Sequence, residues 1–236
     1  MIDAAKAADS ASRELPTRPL GILGGTFDPI HCGHLELARE ARAALDLAEV
    51  LVIPAGDPPH RQAPIASARD RLAMVGLAVA GLDGVAVDRR EVDREGRSYT
   101  VLTLSELRSE RPFQPLLLIV GADALLGLEG WHRWREVFVR AHLVVVARPG
   151  TDLVGSLTGA LADEWQARHT TDRRDLEKVD GGSIYQQAIT PHAISASAIR
   201  AALARGDTAA VRGLLPAAVL AYIGRNHLYE PRPDAT

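Results

Sequence analysis

The chain has 236 residues, 47% of them hydrophobic, and carries 27 Lys plus Arg against 30 Asp plus Glu for a formal net charge of -3. That is ample for one buried core and provides no bulk field for DNA or another polyanion; without a basic, aromatic-rich stripe, a nucleic-acid partner is excluded and any bound anion is held locally. The one cysteine, Cys32, excludes an internal disulfide framework and a CxxC-type metal site, and it fits a reducing, cytoplasmic compartment.

Residues 1–17 are rich in Ala and small polar residues, lack the apolar core of a secretory signal and read as a loose tail. Leu20–Leu23 has strand character and is followed by a helix-like stretch, Gly33–Leu45. Val50–Ile53, a Pro- and Gly-rich loop over Pro54–Pro64, and the helix-like Ala66–Val79 repeat the βα pattern. Val85–Val87 reads as a short strand, Tyr99–Arg108 as a helix, and Leu116–Val120 and Leu143–Ala147 as strands buried on both faces. The apolar runs are far shorter than the ~18 to 20 residues of a membrane span, so no membrane association is expected.

From Pro149 to Ile189 the pattern weakens around the charge-dense Asp172–Asp180, and a helix-and-loop surface insertion at 151–188 is predicted. Helical pattern returns in Ser197–Ala204, Thr208–Leu214 and Pro216–Gly224, the last opened by a proline suited to a first helical turn. The alternation is that of an α/β, Rossmann-like, doubly wound fold. It predicts a mainly parallel sheet with helices on both faces and a C-terminal helical segment, in one domain over residues 18–230.

The sharpest local signal is Gly24-Gly25-Thr26-Phe27-Asp28-Pro29-Ile30-His31-Cys32-Gly33-His34, between the first strand and the first helix. At the carboxyl end of a strand, beside a helix N-terminus, backbone N–H groups and the helix dipole favour a phosphate. Gly24 and Gly25 permit close approach to the backbone, and His31 and His34, three apart, present both imidazoles to one side. The segment lacks the Lys-Ser/Thr ending of the P-loop and the GxGxxG spacing, which weighs against kinase-like and dehydrogenase-like readings.

This segment resembles the [HT]xGH signature of the nucleotidyltransferase superfamily, which includes nicotinate-nucleotide adenylyltransferases, pantetheine-phosphate adenylyltransferase and cytidylyltransferases. Ile194-Ser195-Ala196-Ser197-Ala198-Ile199-Arg200 resembles the ISSTxIR motif of the same proteins, with Ser197 where Thr is usual; Ser197 is expected to cap a helix and Arg200 to sit one turn in. Further matches point to the nicotinate branch: Pro58-Pro59-His60-Arg61 to PPH[KR], Ser98-Tyr99-Thr100 to SYT, Gly121-Ala122-Asp123 with Trp131 to GxD...W, and Arg148-Pro149-Gly150 to RPG.

The resemblance implies transfer of the adenylyl group of ATP to nicotinate mononucleotide, giving nicotinate adenine dinucleotide and pyrophosphate in NAD biosynthesis. It implies that His31, His34 and Arg200 are catalytic, His34 nearest the α-phosphate and Arg200 at the leaving pyrophosphate. Gly24, Gly25, Thr26, Phe27, Gly33, Ser195, Ser197 and Asp123 would bind ATP; His60, Arg61, Thr100, Trp131 and Arg148 would bind the acceptor. Mg²⁺ is expected to arrive with the ATP phosphates, since two histidines and no spaced acidic cluster make no dedicated metal site.

Residue by residue, structural readings stand beside these. Thr100 can cap a helix, Trp131 and Trp134 can pack at helical spacing, Asp123 can be an N-cap and Arg148 a surface cation. Cys32 is expected to do no chemistry, although its helix N-terminal position suggests thiolate character. The same transfer to nicotinamide mononucleotide or phosphopantetheine, and a regulatory module that binds nucleotide without turnover, stay open, as does a homo-oligomer.

Overall fold

The computed structural model describes residues 18–59, 63–147, 150–179 and 181–230. Its elements run β1 (Leu20–Gly25), α1 (Cys32–Ala44), β2 (Glu49–Pro54), α2 (Ala68–Val79), β3 (Val85–Val87), α3 (Arg90–Asp93), α4 (Thr100–Glu110), β4 (Leu116–Gly121), α5 (Ala122–Leu126), α6 (Val137–Arg140), β5 (His142–Ala147), α7 (Gly159–Arg168), β6 (His169–Thr170), β7 (Ile184–Ala188), α8 (Ala196–Ala204) and α9 (Ala217–Arg225).

The strands form one parallel sheet in the order β3-β2-β1-β4-β5-β7-β6. From β1 the chain winds first toward β3 and then, after α4, returns to β4 on the other side of β1. The order therefore reverses between β1 and β4, whose parallel register opposes Leu20 to Leu116. Open α/β sheets bind ligands at such a switch point, outside the carboxyl ends of the strands. Gly24-Gly25 and Gly121 end their strands there.

Alternate side chains of the central strands enter two different cores, as a pleated strand dictates. Leu23, Val50, Val52, Leu117, Ile119, Val144 and Val146 pack with buried residues of α1, α2, α8 and α9. Leu20, Ile22, Leu51, Ile53, Leu116, Leu118, Val120, Leu143 and Val145 pack on the other face with residues of α4, α6 and α7. The helices on both faces explain why these strands read as continuous apolar runs.

Two expectations fail. The segment 151–188 is not merely a surface insertion, because β7 pairs in parallel with β5 and carries the sheet outward to β6. Leu153, Leu161, Trp165, Leu176 and Ile184 of this segment are buried. The predicted helix at Thr208–Leu214 is instead a set of turns: Gly213 adopts φ 78, the Asp207 carboxylate accepts the Ala210 N–H at 3.0 Å, and Arg212 bridges to Leu215. Among the described residues no helix is long and apolar enough to cross a membrane.

Candidate active site

Between β1 and α1 the backbone turns sharply around Phe27, whose φ of 51 places a buried aromatic residue in the left-handed region. A Cβ on Gly25 would come within 2.9 Å of the Phe27 ring, so this tight return needs glycine. The ring stands edge-on to His34, with centroids 5.0 Å apart and planes at 87°. His31 caps α1 with extended backbone, and its imidazole stacks on that of His34 with centroids 3.7 Å apart. The expected shared face of the two histidines is present.

Burial lowers the His31 pKa to about 4; burial and then the neighbouring His31 lower that of His34 to about 3. Both rings are neutral donors and acceptors at neutral pH. The backbone N–H of His31 donates to His34 Nδ1 at 3.2 Å, while His31 Nδ1 is buried with no hydrogen-bond partner in the described structure.

The loop is braced by two buried charges that sequence reasoning did not assign. Arg71, on α2 and 1% exposed, donates to the carbonyls of Ala66, Thr26, Ala55 and Gly56. It ties the end of β1 to the end of β2. The Asp28 carboxylate accepts the N–H groups of Ile65 at 2.8 Å and Ala66 at 3.1 Å, and the Tyr229 hydroxyl at 2.6 Å.

Arg200 reaches this loop from α8. Its Nη1 donates to the Asp28 carbonyl at 2.7 Å and its Nη2 to Ser197 Oγ at 3.3 Å, so residues 172 apart in sequence meet at the first βα turn. Ser195, rather than Ser197 as expected, caps α8 by accepting the Ala198 N–H at 3.5 Å. Ser197 lies exposed in the first turn, where its hydroxyl holds Arg200. The segment before α8 also brings in His192, whose Cβ lies 3.4 Å from where a Gly33 Cβ would be.

The remaining positions lie across the carboxyl edge of the sheet. Thr100 is the first residue of α4, after Tyr99 as N-cap; the preceding Ser98 is buried and its hydroxyl accepts the N–H of Gly56 at 2.9 Å and Asp57 at 3.3 Å. Asp123 is exposed in the first turn of α5 and is not the N-cap, which is Gly121. Trp131 is half-buried against the second core, whereas Trp134 is buried within it. Tyr99 and His132 bring the two motifs together, their rings 4.3 Å apart. His60, Arg61 and Arg148 lie outside the described residues.

The family model described as cytidylyltransferase-like matches residues 22–202. A protein of Laribacter hongkongensis named "Probable nicotinate-nucleotide adenylyltransferase" is 49% identical over 222 residues, covering 94% of this chain and 99% of its own length. The chain belongs to the nicotinate-nucleotide adenylyltransferase family.

A second relative of the same name, from Dechloromonas aromatica, is 49% identical and covers 90% of this chain and 98% of its own. Among solved structures, the Plasmodium falciparum nicotinic acid mononucleotide adenylyltransferase complexed with NaAD superposes with a TM-score of 0.68, over 90% of this chain and 97% of that one, at 14% identity. The adenylyltransferase fold therefore persists where sequence likeness is nearly gone. Arg71, His132, His192 and Tyr229 escaped motif reading, and Asp28, although it lies inside the Gly24–His34 motif, was given no role there: Asp28 and Arg71 act mainly on backbone groups, and Tyr229 meets Asp28 across 201 residues.

Proposed function

We propose that this adenylyltransferase joins the AMP half of ATP to nicotinate mononucleotide, giving nicotinate adenine dinucleotide and pyrophosphate. The observation that carries the reading is the stacked, neutral His31–His34 pair at the β1/β4 switch point, with Arg200 docked on the same loop through the Asp28 carbonyl. The names of the relatives support the same acceptor.

In the proposed reaction an oxygen of the acceptor 5'-phosphate attacks the α-phosphorus of ATP, the new P–O bond forms as the bond to the β-phosphate oxygen breaks, and pyrophosphate carries away the electron pair. No covalent enzyme intermediate is needed, so catalysis consists of positioning and charge neutralisation. His34 Nε2–H donates to the α-phosphate, His31 lies beside it, and Arg200, held on the Asp28 carbonyl, presents its guanidinium to the departing pyrophosphate. Gly24, Gly25, Thr26, Phe27 and Gly33 line the phosphate turn; Ser195, Ser197 and Asp123 complete the ATP side. His60, Arg61, Thr100, Trp131 and Arg148 are assigned to the acceptor.

Among the described residues no three His, Cys, Asp or Glu side chains gather where a metal could sit. Mg²⁺ is assigned to the ATP phosphates, whose charge it neutralises. The substrates are small molecules, and a cytoplasmic setting fits their supply. A pyrophosphate-release assay with ATP and, in parallel, nicotinate mononucleotide, nicotinamide mononucleotide and phosphopantetheine tests the reading. Turnover is expected with the first; turnover with phosphopantetheine alone, or with none, overturns it.

A further inference from the structure

Asp28 is the point where four separate parts of the chain meet. Its Oδ1 accepts the Ala66 N–H and the Tyr229 hydroxyl, its Oδ2 accepts the Ile65 N–H, and its backbone carbonyl accepts Arg200 Nη1. One side of it thus holds the guanidinium assigned to pyrophosphate, and the other holds the chain entering α2, just after the Pro-rich loop of the acceptor side. A buried carboxylate is stable only when its lone pairs are occupied and its charge is offset. The two backbone donors and Tyr229 occupy them, and Arg71 lies close enough to interact electrostatically.

Tyr229 is built for this contact at a local cost. It is buried, and it sits at φ 66 in the left-handed region, with His227 at φ 51 before it. Phe27, next to Asp28, is also left-handed at φ 51. Bulky residues adopt that region only where surrounding contacts over-determine them, and such residues cluster at functional sites. The phenol keeps its proton, because burial and the Asp28 carboxylate push its pKa up. A phenylalanine would fill the same space and lack only the donor.

We propose that Tyr229 is a positioning residue for adenylyl transfer: its hydroxyl fixes the Asp28 carboxylate, and through Asp28 it sets both Arg200 and the chain at Ile65–Ala66. The segment after α9 that carries Tyr229 thereby supports catalysis without touching substrate. This inference rests on the adenylyl-transfer reading of the site.

Tyr229→Phe tests it, assayed at a temperature where circular dichroism shows both proteins fully folded. The forward kcat/KM is expected to fall about tenfold, and the KM for pyrophosphate in the reverse direction to rise several-fold. Hydrogen exchange at the Ile65 and Ala66 amides is expected to accelerate. In an Asp28→Asn background, adding Tyr229→Phe should cost less than about twofold, because the two changes act on one interaction. A folded Tyr229→Phe protein with kcat/KM and pyrophosphate KM within twofold of the parent overturns the inference. If Tyr229→Phe does not fold, Asp28→Asn alone decides, and unchanged reverse-direction KM there overturns it equally. A parent without adenylyltransferase activity would sink the functional reading instead; unchanged exchange at Ile65 and Ala66 would then still sink the positioning role.

Discussion

The backbone N–H of His31 donates to His34 Nδ1, and this one hydrogen bond of 3.2 Å decides which nitrogen of a neutral His34 carries the proton. Since Nδ1 accepts, Nε2 must be protonated, which makes it a donor at the far side of the ring. Replacing His34 by Ala removes a donor aimed at charge that grows in the transition state and is expected to lower turnover by about two to three orders of magnitude. His34→Gln, whose terminal amide reaches toward the Nε2 position, should keep more activity than His34→Asn. Retention of more than half the parent turnover by His34→Ala at saturating ATP would refute the assignment.

The depressed histidine pKa values have a defined sign in stability. In the unfolded chain these imidazoles protonate near pH 6.5, whereas in the folded protein His31 resists to about 4 and His34 to about 3. Their contribution is intact above pH 6.5 and is lost as pH falls from there, to about 4 for His31 and about 3 for His34, because the unfolded state takes up protons that the folded state refuses. Two imidazole resonances of the ligand-free protein should therefore show midpoints below pH 5 by NMR. His31→Gln should lose less Tm between pH 7 and 5 than the parent. Two midpoints near 6.5 would contradict the buried, stacked geometry.

The parts of the fold written in local patterns were legible, and the parts set by distant contacts were not. Leu116–Val120 and Leu143–Ala147 announce themselves because both faces of β4 and β5 are covered. β7 did not: of Ile-Tyr-Gln-Gln-Ala only Ile184 is buried, so no apolar run marks a strand that nonetheless pairs with β5 along its length. Thr208–Leu214 has helical spacing, but Gly213 and the Asp207 side chain stabilise turns that periodicity does not register. In the site, His31, His34 and Arg200 were readable as motif positions. Arg71 was hidden inside an ordinary helix, since its four carbonyl partners come from the β1–α1 loop and from both ends of the β2–α2 loop, which only the fold brings together.

Arg71 is expected to be a stability determinant of the site. Arg71→Met would leave four carbonyls without their donor and Asp28 without its nearby cation, a change of about 3 to 5 kcal/mol by analogy with breaking a buried charge pair. Arg71→Lys keeps the charge but cannot span four acceptors with one ammonium, and should be intermediate. Urea unfolding of the two variants measures this. A cost below about 1 kcal/mol for Arg71→Met would show that water replaces the guanidinium without loss.

Cys32 behaves oppositely to what its place at a helix start suggests. Burial and the nearby Glu36 carboxylate raise its pKa, against a weaker opposing backbone hydrogen bond. The first N–H of α1 is also taken, donating to the Leu214 carbonyl at 2.8 Å. The thiol is thus less ionised than a free cysteine, and iodoacetamide at pH 7 should modify it several-fold more slowly than glutathione. Cys32→Ala should keep at least half the activity, while completed alkylation, between His31 and Gly33, should abolish turnover in the parent alone. Modification at the glutathione rate would show that the helix dipole prevails.

Preference for nicotinate over nicotinamide mononucleotide is the prediction that depends most on the acceptor side. The two differ by a ring carboxylate against a carboxamide, so a pocket of donors accepts the first and leaves the amide NH₂ facing other donors. α4 offers such donors: the Tyr99 N-cap makes no side-chain capping hydrogen bond among the described residues, and no acidic residue lies in the first turn. The Tyr99–His132 ring contact sets this helix start beside the Trp131 segment, where half-buried Trp131 can pack against the pyridine ring. A donor-only pocket that disfavours NH₂ by ~3 kcal/mol yields a preference above a hundredfold in kcat/KM. Thr100→Val, which keeps the shape and removes the hydroxyl, should reduce that preference with little effect on the KM for ATP. A kcat/KM ratio near one for the two mononucleotides in the parent would overturn the substrate assignment and leave adenylyl transfer standing, because His31, His34 and Arg200, proposed to hold the ATP phosphates, lie on other elements.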